Sequence, residues 1–186
     1  MGLIDDSDER SRVIAVDGPA AAGKGTLARR LALHFDYAYL DTGALYRAVA
    51  ARLISTNAEL TADVAEAEAC RITHADLERQ DLRGDDVANL ASKVAAMAGV
   101  RASLLAFQRN FAARPPGGKA GAVLDGRDIA TVVCPTAQWK LFVTASVEVR
   151  AERRLKELRA RGVEAIHSRV LREMQERDAR DYKRSI

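Results

Sequence analysis

A glycine-bracketed turn between an apolar run and a helical run limits what this chain can fold into more than any other feature. Val13-Ile14-Ala15-Val16 is a near-continuous apolar run, the pattern of a strand buried on both faces. Asp17 and the turn Gly18-Pro19-Ala20-Ala21-Ala22-Gly23 follow, and Lys24-Gly25-Thr26 opens a helical pattern with Leu27, Leu31 and Phe35 on one face. Strand, glycine-rich loop and helix in that order build a loop whose backbone N–H groups turn inward toward phosphate oxygens. The positive end of the helix adds to that field, and Lys24 supplies a mobile point charge for β- and γ-phosphates. The spacing departs from the usual ending in one respect. Gly25 stands where Ser or Thr is usual, and the hydroxyl comes one place later at Thr26, still near a Mg²⁺ site. An ordinary strand-to-helix turn would leave the joint presence of strand, glycines, lysine and helix unexplained.

The 186 residues suit one domain with a small insertion. An apolar content of 48% is enough for a core, and a formal net charge of +3 is too small to argue for nucleic acid. Cys70 and Cys134 are isolated, the pattern of reduced structural thiols in a cytosolic protein. The acidic first residues carry neither a signal sequence nor a myristoylation pattern, and no apolar run approaches the length of a membrane span. Residues 1–11 are expected to be loose.

Along the chain the pattern predicts strands at Val13–Val16, Tyr37–Leu40, Ala122–Leu124 and Leu141–Thr144. Helices are expected at Lys24–Phe35, about Ala44–Ser55 after a capping turn Asp41-Thr42-Gly43, and Thr61–Arg71 with Thr61 or Asp63 near its start. One long helix should run from Val87 to Ala113, with Gly99 as a possible interruption, and two more over Val147–Arg161 and Val163–Tyr182, joined at Gly162. Asp76–Asp86 reads as charged and irregular, and Pro115-Pro116-Gly117-Gly118 as a break. Alternating strands and helices indicate an α/β fold with a parallel sheet, with residues from about 60 to 113 inserted at the edge where ligands bind.

Asp125 ends an apolar strand, where an acidic residue either holds Mg²⁺ or caps a turn; both readings stay open. Gly126-Arg127-Asp128 puts an anion-binding and a donor-accepting side chain at the mouth of the sheet. The arginines of the last two helices are interleaved with acids, which suits a salt-bridged surface, whereas Arg153 and Arg161 near Gly162 could form a closing lid. His34, His74 and His167 lack metal-ligand spacing and read as surface or packing residues; Trp139 should pack at the start of a strand.

Four segments resemble the bacterial cytidylate kinase family: Asp17–Thr26, Leu40–Arg47 (Leu-Asp-Thr-Gly-Ala-Leu-Tyr-Arg), Leu124–Val133 (Leu-Asp-Gly-Arg-Asp-Ile-Ala-Thr-Val-Val) and Glu176–Arg184 (Glu-Arg-Asp-Ala-Arg-Asp-Tyr-Lys-Arg). The second and third are the more specific, since most P-loop proteins lack them. The resemblance implies a P-loop parallel sheet flanked by helices, with core and lid at 12–59 and 114–186 and a helical NMP-binding insertion at about 60–113. It implies phosphoryl transfer from ATP to CMP or dCMP with Mg²⁺, in a cytoplasmic monomer whose partners are small molecules, not nucleic acid or membrane. By matched position, Gly18, Pro19, Ala20, Ala21, Ala22, Gly23, Lys24, Gly25 and Thr26 would hold ATP phosphates, and Thr26 and Asp125 the metal. Thr42, Arg47, Arg127 and Arg184 would meet the CMP phosphate, Ser92, Arg101 and Asp128 the cytosine edge, and Arg177 and Asp181 the ribose. Lys24, Arg127, Arg153 and Arg184 are the expected catalytic charges.

Three departures qualify the match. Ala130 stands where the family usually has Gly, the insertion after Leu60 is short, and the sequence stops at Ile186 where the family continues with a strand and helix. The last would leave the Leu141–Thr144 strand at a sheet edge and weaken ATP binding more than CMP binding. Two other readings stay open: a kinase for another small acceptor (AMP, UMP or shikimate), and a non-catalytic nucleotide-binding protein.

Overall fold

In the computed structural model, residues 12–183 are described; the expected loose start and Arg184 lie outside them. Strand β1 (Arg12–Asp17) pairs in parallel with β3 (Gly121–Gly126) on one side and β4 (Trp139–Phe142) on the other, and β3 pairs in parallel with β2 (Ala38–Asp41). The order β2-β3-β1-β4 makes β1 an interior strand, so the loop that follows it leaves from the middle of the sheet's carboxyl edge.

Alternate residues of the strands feed separate cores. Val13, Ala15, Ala122 and Leu124 face a large core shared with α2 (Thr42–Ser55), α3 (Ala62–Cys70), α5 (Asp85–Val94) and α6 (Ala98–Ala113). Ile14, Val16 and Val123 face α1 (Lys24–Phe35). Residues 60–113 thus share a continuous core with one face of the sheet. A third, smaller core joins α7 (Val147–Ala160) and α8 (His167–Tyr182) to Ala20 of the loop after β1.

Several elements differ from the sequence expectation. Helix α1 buries Ala28 and Ala32, while Leu27 and Phe35 of the expected apolar face are exposed and Leu31 is half-buried. Small side chains let the helix lie close on the sheet. The long helix expected from Val87 to Ala113 is two helices bent by 100° at residues 95–97, short of Gly99. The stretch read as irregular holds a short helix, α4 (His74–Leu77), with a capping box from Thr73 and Asp76, and a 3₁₀ turn at Gln80–Arg83. Strand β4 starts two residues earlier than expected and is exposed along its length; Trp139 at its start is only half-covered. Residues 163–166 are outside any helix, Ile166 having extended backbone angles, so α8 begins at His167. Thr61 caps α3, its Oγ1 accepting from the Val64 N–H. His74 packs against Phe107, ring centroids 4.7 Å apart. Among the described residues no single helix is long and apolar enough to cross a membrane.

The tight α1–sheet contact yields a test. Ala28→Leu should cost about 1–3 kcal/mol in urea unfolding through overpacking. Leu33→Ala, at a position 85% exposed, should change stability by less than about 0.5 kcal/mol.

Candidate active site

The parallel register brings the carboxyl ends of the strands to one edge: Asp17 lies opposite Gly126 and Phe142, and Asp41 lies opposite Asp125. Three of the segments singled out in the sequence therefore start from adjacent points. Gly18 passes so close to the chain after β4 that a Cβ on it would sit 1.9 Å from the Val143 carbonyl oxygen, and its φ of 144° suits glycine. Gly23 (φ 100°) stands at the start of α1.

Lys24 is buried at the first turn of α1 and donates from Nζ to the Pro19 carbonyl, 3.0 Å away. Burial, with the positive charge of Arg127 next, lowers its pKa from 10.5 to about 8; Asp125 and Asp41 oppose the shift and Arg177 adds to it. Arg127, Arg177, Asp41 and Asp125 are thus all within electrostatic reach of Lys24. Asp125 is held above the ordinary carboxylate range by burial and by Asp41, against the pull of the Tyr39 hydroxyl, which donates to its Oδ2 at 2.9 Å. The same neighbours and burial push Tyr39 up.

A buried carboxylate with a second one beside it suits a hard cation. Mg²⁺ takes few protein oxygens and fills its shell with water and phosphate oxygens. The Asp125 carboxylate fits that demand. A Cβ on Gly25 would lie 3.2 Å from Asp125 Oδ2, so the glycine that breaks the usual motif leaves room for this carboxylate against the first turn of α1.

The expected acceptor-side residues are tied to their neighbours. Thr42 Oγ1 donates to the Asp125 carbonyl at 2.8 Å, and α2 begins at Thr42, two residues ahead of expectation. Asp41 does not cap that helix with its side chain; it pairs with Arg47 Nη2 at 2.7 Å. Arg127 Nε donates to Asp181 Oδ2 at 2.7 Å, joining the segment after β3 to α8. Arg101 caps the end of α5, donating to the Ala96 carbonyl at 2.9 Å. Ser92 is buried on α5 and accepts from Arg180 Nε at 3.1 Å. Arg153 reaches the loop after β1, donating to the Ala22 carbonyl at 2.9 Å. Asp128 leads into a single π-helical turn, Ile129–Val133. Ala130 fits there without left-handed strain, since positive φ outside glycine is confined, among the described residues, to Ala21, Asp36 and Asn57.

Sequence reasoning missed three residues that tie the last helices down. Arg150 forms a two-pronged pair with Asp178, at 3.0 and 2.6 Å, and also reaches the Ala20 carbonyl. Arg180 holds Ser92, and Arg154 reaches Asp85 of α5 at 2.7 Å. The signal was the spacing: Arg150 and Arg153 share a helical face, as do Arg177, Arg180 and Asp181.

A parallel sheet whose interior strand runs into a glycine-rich loop and a buried lysine, with arginines and carboxylates at the same edge, defines a P-loop nucleoside monophosphate kinase fold, a phosphotransferase architecture. The cytidylate kinase family model matches residues 14–186. The chain is 62% identical over 178 residues to a cytidylate kinase of Paramagnetospirillum magneticum, covering 95% of this chain and 83% of the relative. It is 56% identical over 175 residues to one of Rhodospirillum rubrum (94% and 82% covered) and 53% over 174 residues to one of Xanthobacter autotrophicus (93% and 81%). The chain belongs to the cytidylate kinase family.

The Lys24 environment predicts a pH-dependent stability difference. Its native pKa lies below the unfolded value, so from about pH 8 to 10.5 the unfolded chain holds a proton that the native protein has released, and stability rises with pH in that window. The advantage of Lys24→Met over wild type in urea unfolding should therefore shrink by about 2–3 kcal/mol between pH 7 and pH 10.

Proposed function

We propose that the protein transfers the γ-phosphoryl group of ATP to CMP or dCMP, producing ADP and CDP or dCDP. The gathering of Lys24, Arg127 and Arg177 around Asp41 and Asp125 at the carboxyl edge carries this reading. Similarity to cytidylate kinases, up to 62% identical, supports cytidylate as the acceptor.

In this reading the Gly18–Thr26 loop and Lys24 hold the ATP phosphates, and Thr26 and Asp125 hold Mg²⁺. When bound, Mg²⁺ neutralises charge on the β- and γ-phosphate oxygens. Thr42, Arg47, Arg127 and Arg184 take the CMP phosphate, Arg177 and Asp181 the ribose, and Ser92, Arg101 and Asp128 the cytosine edge. Arg153, already against the loop, meets charge that develops on the migrating group. An oxygen of the CMP phosphate attacks the γ-phosphorus as the bond to the β–γ bridging oxygen breaks, and ADP leaves with that electron pair. The attacking oxygen is already anionic, so positioning and charge neutralisation replace a general base. Ion pairs such as Arg47–Asp41 and Arg127–Asp181 aim these guanidiniums in advance. The domain reading follows: core and lid at 12–59 and 114–186, an acceptor-binding insertion at about 60–113, in a cytoplasmic monomer that acts on small molecules.

ADP release measured with CMP, dCMP, UMP and AMP tests the proposal. Turnover should be fast with CMP and dCMP and slow with UMP and AMP; preference for AMP, or no turnover with any, would overturn it. Lys24→Ala should lower kcat by at least about 10²-fold while the protein stays folded. Asp128→Ala should lower kcat/KM for CMP by about 10–100-fold and much less for UMP, because the carboxylate accepts from the exocyclic amine that cytosine carries and uracil lacks. An equal fall for both would assign base reading elsewhere.

A further inference from the structure

Asp17 is the last residue of β1, buried, and immediately precedes Gly18 of the phosphate-binding loop. Its carboxylate is engaged on both oxygens: Oδ1 accepts from the Ile129 N–H and Oδ2 from the Ala130 N–H, each at 2.8 Å. Those are the first two N–H groups of the π-helical turn that follows Arg127 and Asp128. The Asp17 carbonyl accepts from the Val143 N–H at 2.8 Å, so this residue also ties the chain after β4 to the same point. A carboxylate that accepts two aligned backbone donors at the positive end of a turn makes a strong, directional link.

We propose that Asp17 is a positioning residue, whose two hydrogen bonds lock the Arg127–Asp128 segment against the phosphate-binding loop and so set the placement of acceptor relative to donor. The inference rests on the reading of Arg127 and Asp128 given above. Other side chains act nearby: Asp181 anchors Arg127 from α8, Thr42 holds the backbone of Asp125, and Arg109 donates to the Val132 and Val133 carbonyls at the far end of the turn. Asp17 is the side chain that holds the first two N–H groups of the turn. The link is also chemically specific. An asparagine at position 17 offers one carbonyl oxygen in place of two acceptors, and its amide turns donors toward the second N–H, which is left buried without an acceptor.

The experiment compares wild type with Asp17→Asn in three measurements: melting temperature, ATP affinity by calorimetry, and steady-state kinetics with CMP varied. Asp17→Asn should raise KM for CMP and lower kcat, for a combined loss in kcat/KM of about tenfold or more, the size expected for one buried unsatisfied donor. ATP affinity should stay within about twofold, because the loop itself is unchanged. Asp17→Ser, which keeps one acceptor, serves the same comparison if the Asn variant does not fold. Unchanged CMP kinetics, or losses of ATP and CMP affinity in equal measure with a falling melting temperature, would overturn the positioning role. Failure of both variants to fold would overturn it too, since a plain staple of the sheet then accounts for the contact. Wild-type protein inert toward CMP would instead refute the functional reading itself, and the inference with it.

Discussion

A buried ammonium is the constraint to which the carboxyl edge of this sheet answers. Lys24 sits among main-chain atoms with little access to water, and an isolated cation there would be costly. Asp41 and Asp125, brought opposite each other by the β2–β3 register, supply the compensating charge, and Tyr39 keeps Asp125 in place. Arg127 pushes the other way. The balance leaves Lys24 near half-charged at mildly alkaline pH, so an anion beside it strengthens the cation that binds it.

Much of this was legible in the sequence where the signal is local. The apolar run Val13–Val16, the glycines and Lys24 specify strand, loop and helix within a few residues, and the structure follows them. The losses came where distant packing decides. Nothing local says that α1 presses Ala28 and Ala32 on the sheet and leaves Leu33 in solvent, because the choice depends on how closely the sheet lies beneath. The break at residues 95–97 falls in Ala-Ala-Met, all good helix formers, so fold-level packing overrides propensity there. Asp17, Arg150 and Arg180 find partners 28 to 130 positions away in sequence; helical spacing shows which arginines share a face but does not name those partners. Strand β4 was misplaced by two residues because an edge strand lacks the clean apolar run of an interior one.

The same distinction separates site residues by kind. The loop residues and Lys24 were recognisable because their chemistry is carried by contiguous backbone. Ser92 and Arg101 became candidates only through resemblance, and the structure puts them at a joint: Ser92 bonded to α8, Arg101 capping the helix that carries Ser92.

The α7–α8 hairpin has its own small apolar core, with Val170 and Met174 of one helix against Ala151 and Leu155 of the other. Its attachments to α5 and to the segment after β3 are of a different nature: Arg154 to Asp85, Arg180 to Ser92, Asp181 to Arg127. The partly exposed pair Arg154–Asp85 regains hydration when it parts, so it adds little free energy to the joint. The hairpin thus keeps its internal shape through its apolar core, while its charged grip on α5 and on the segment after β3 weakens with rising ionic strength.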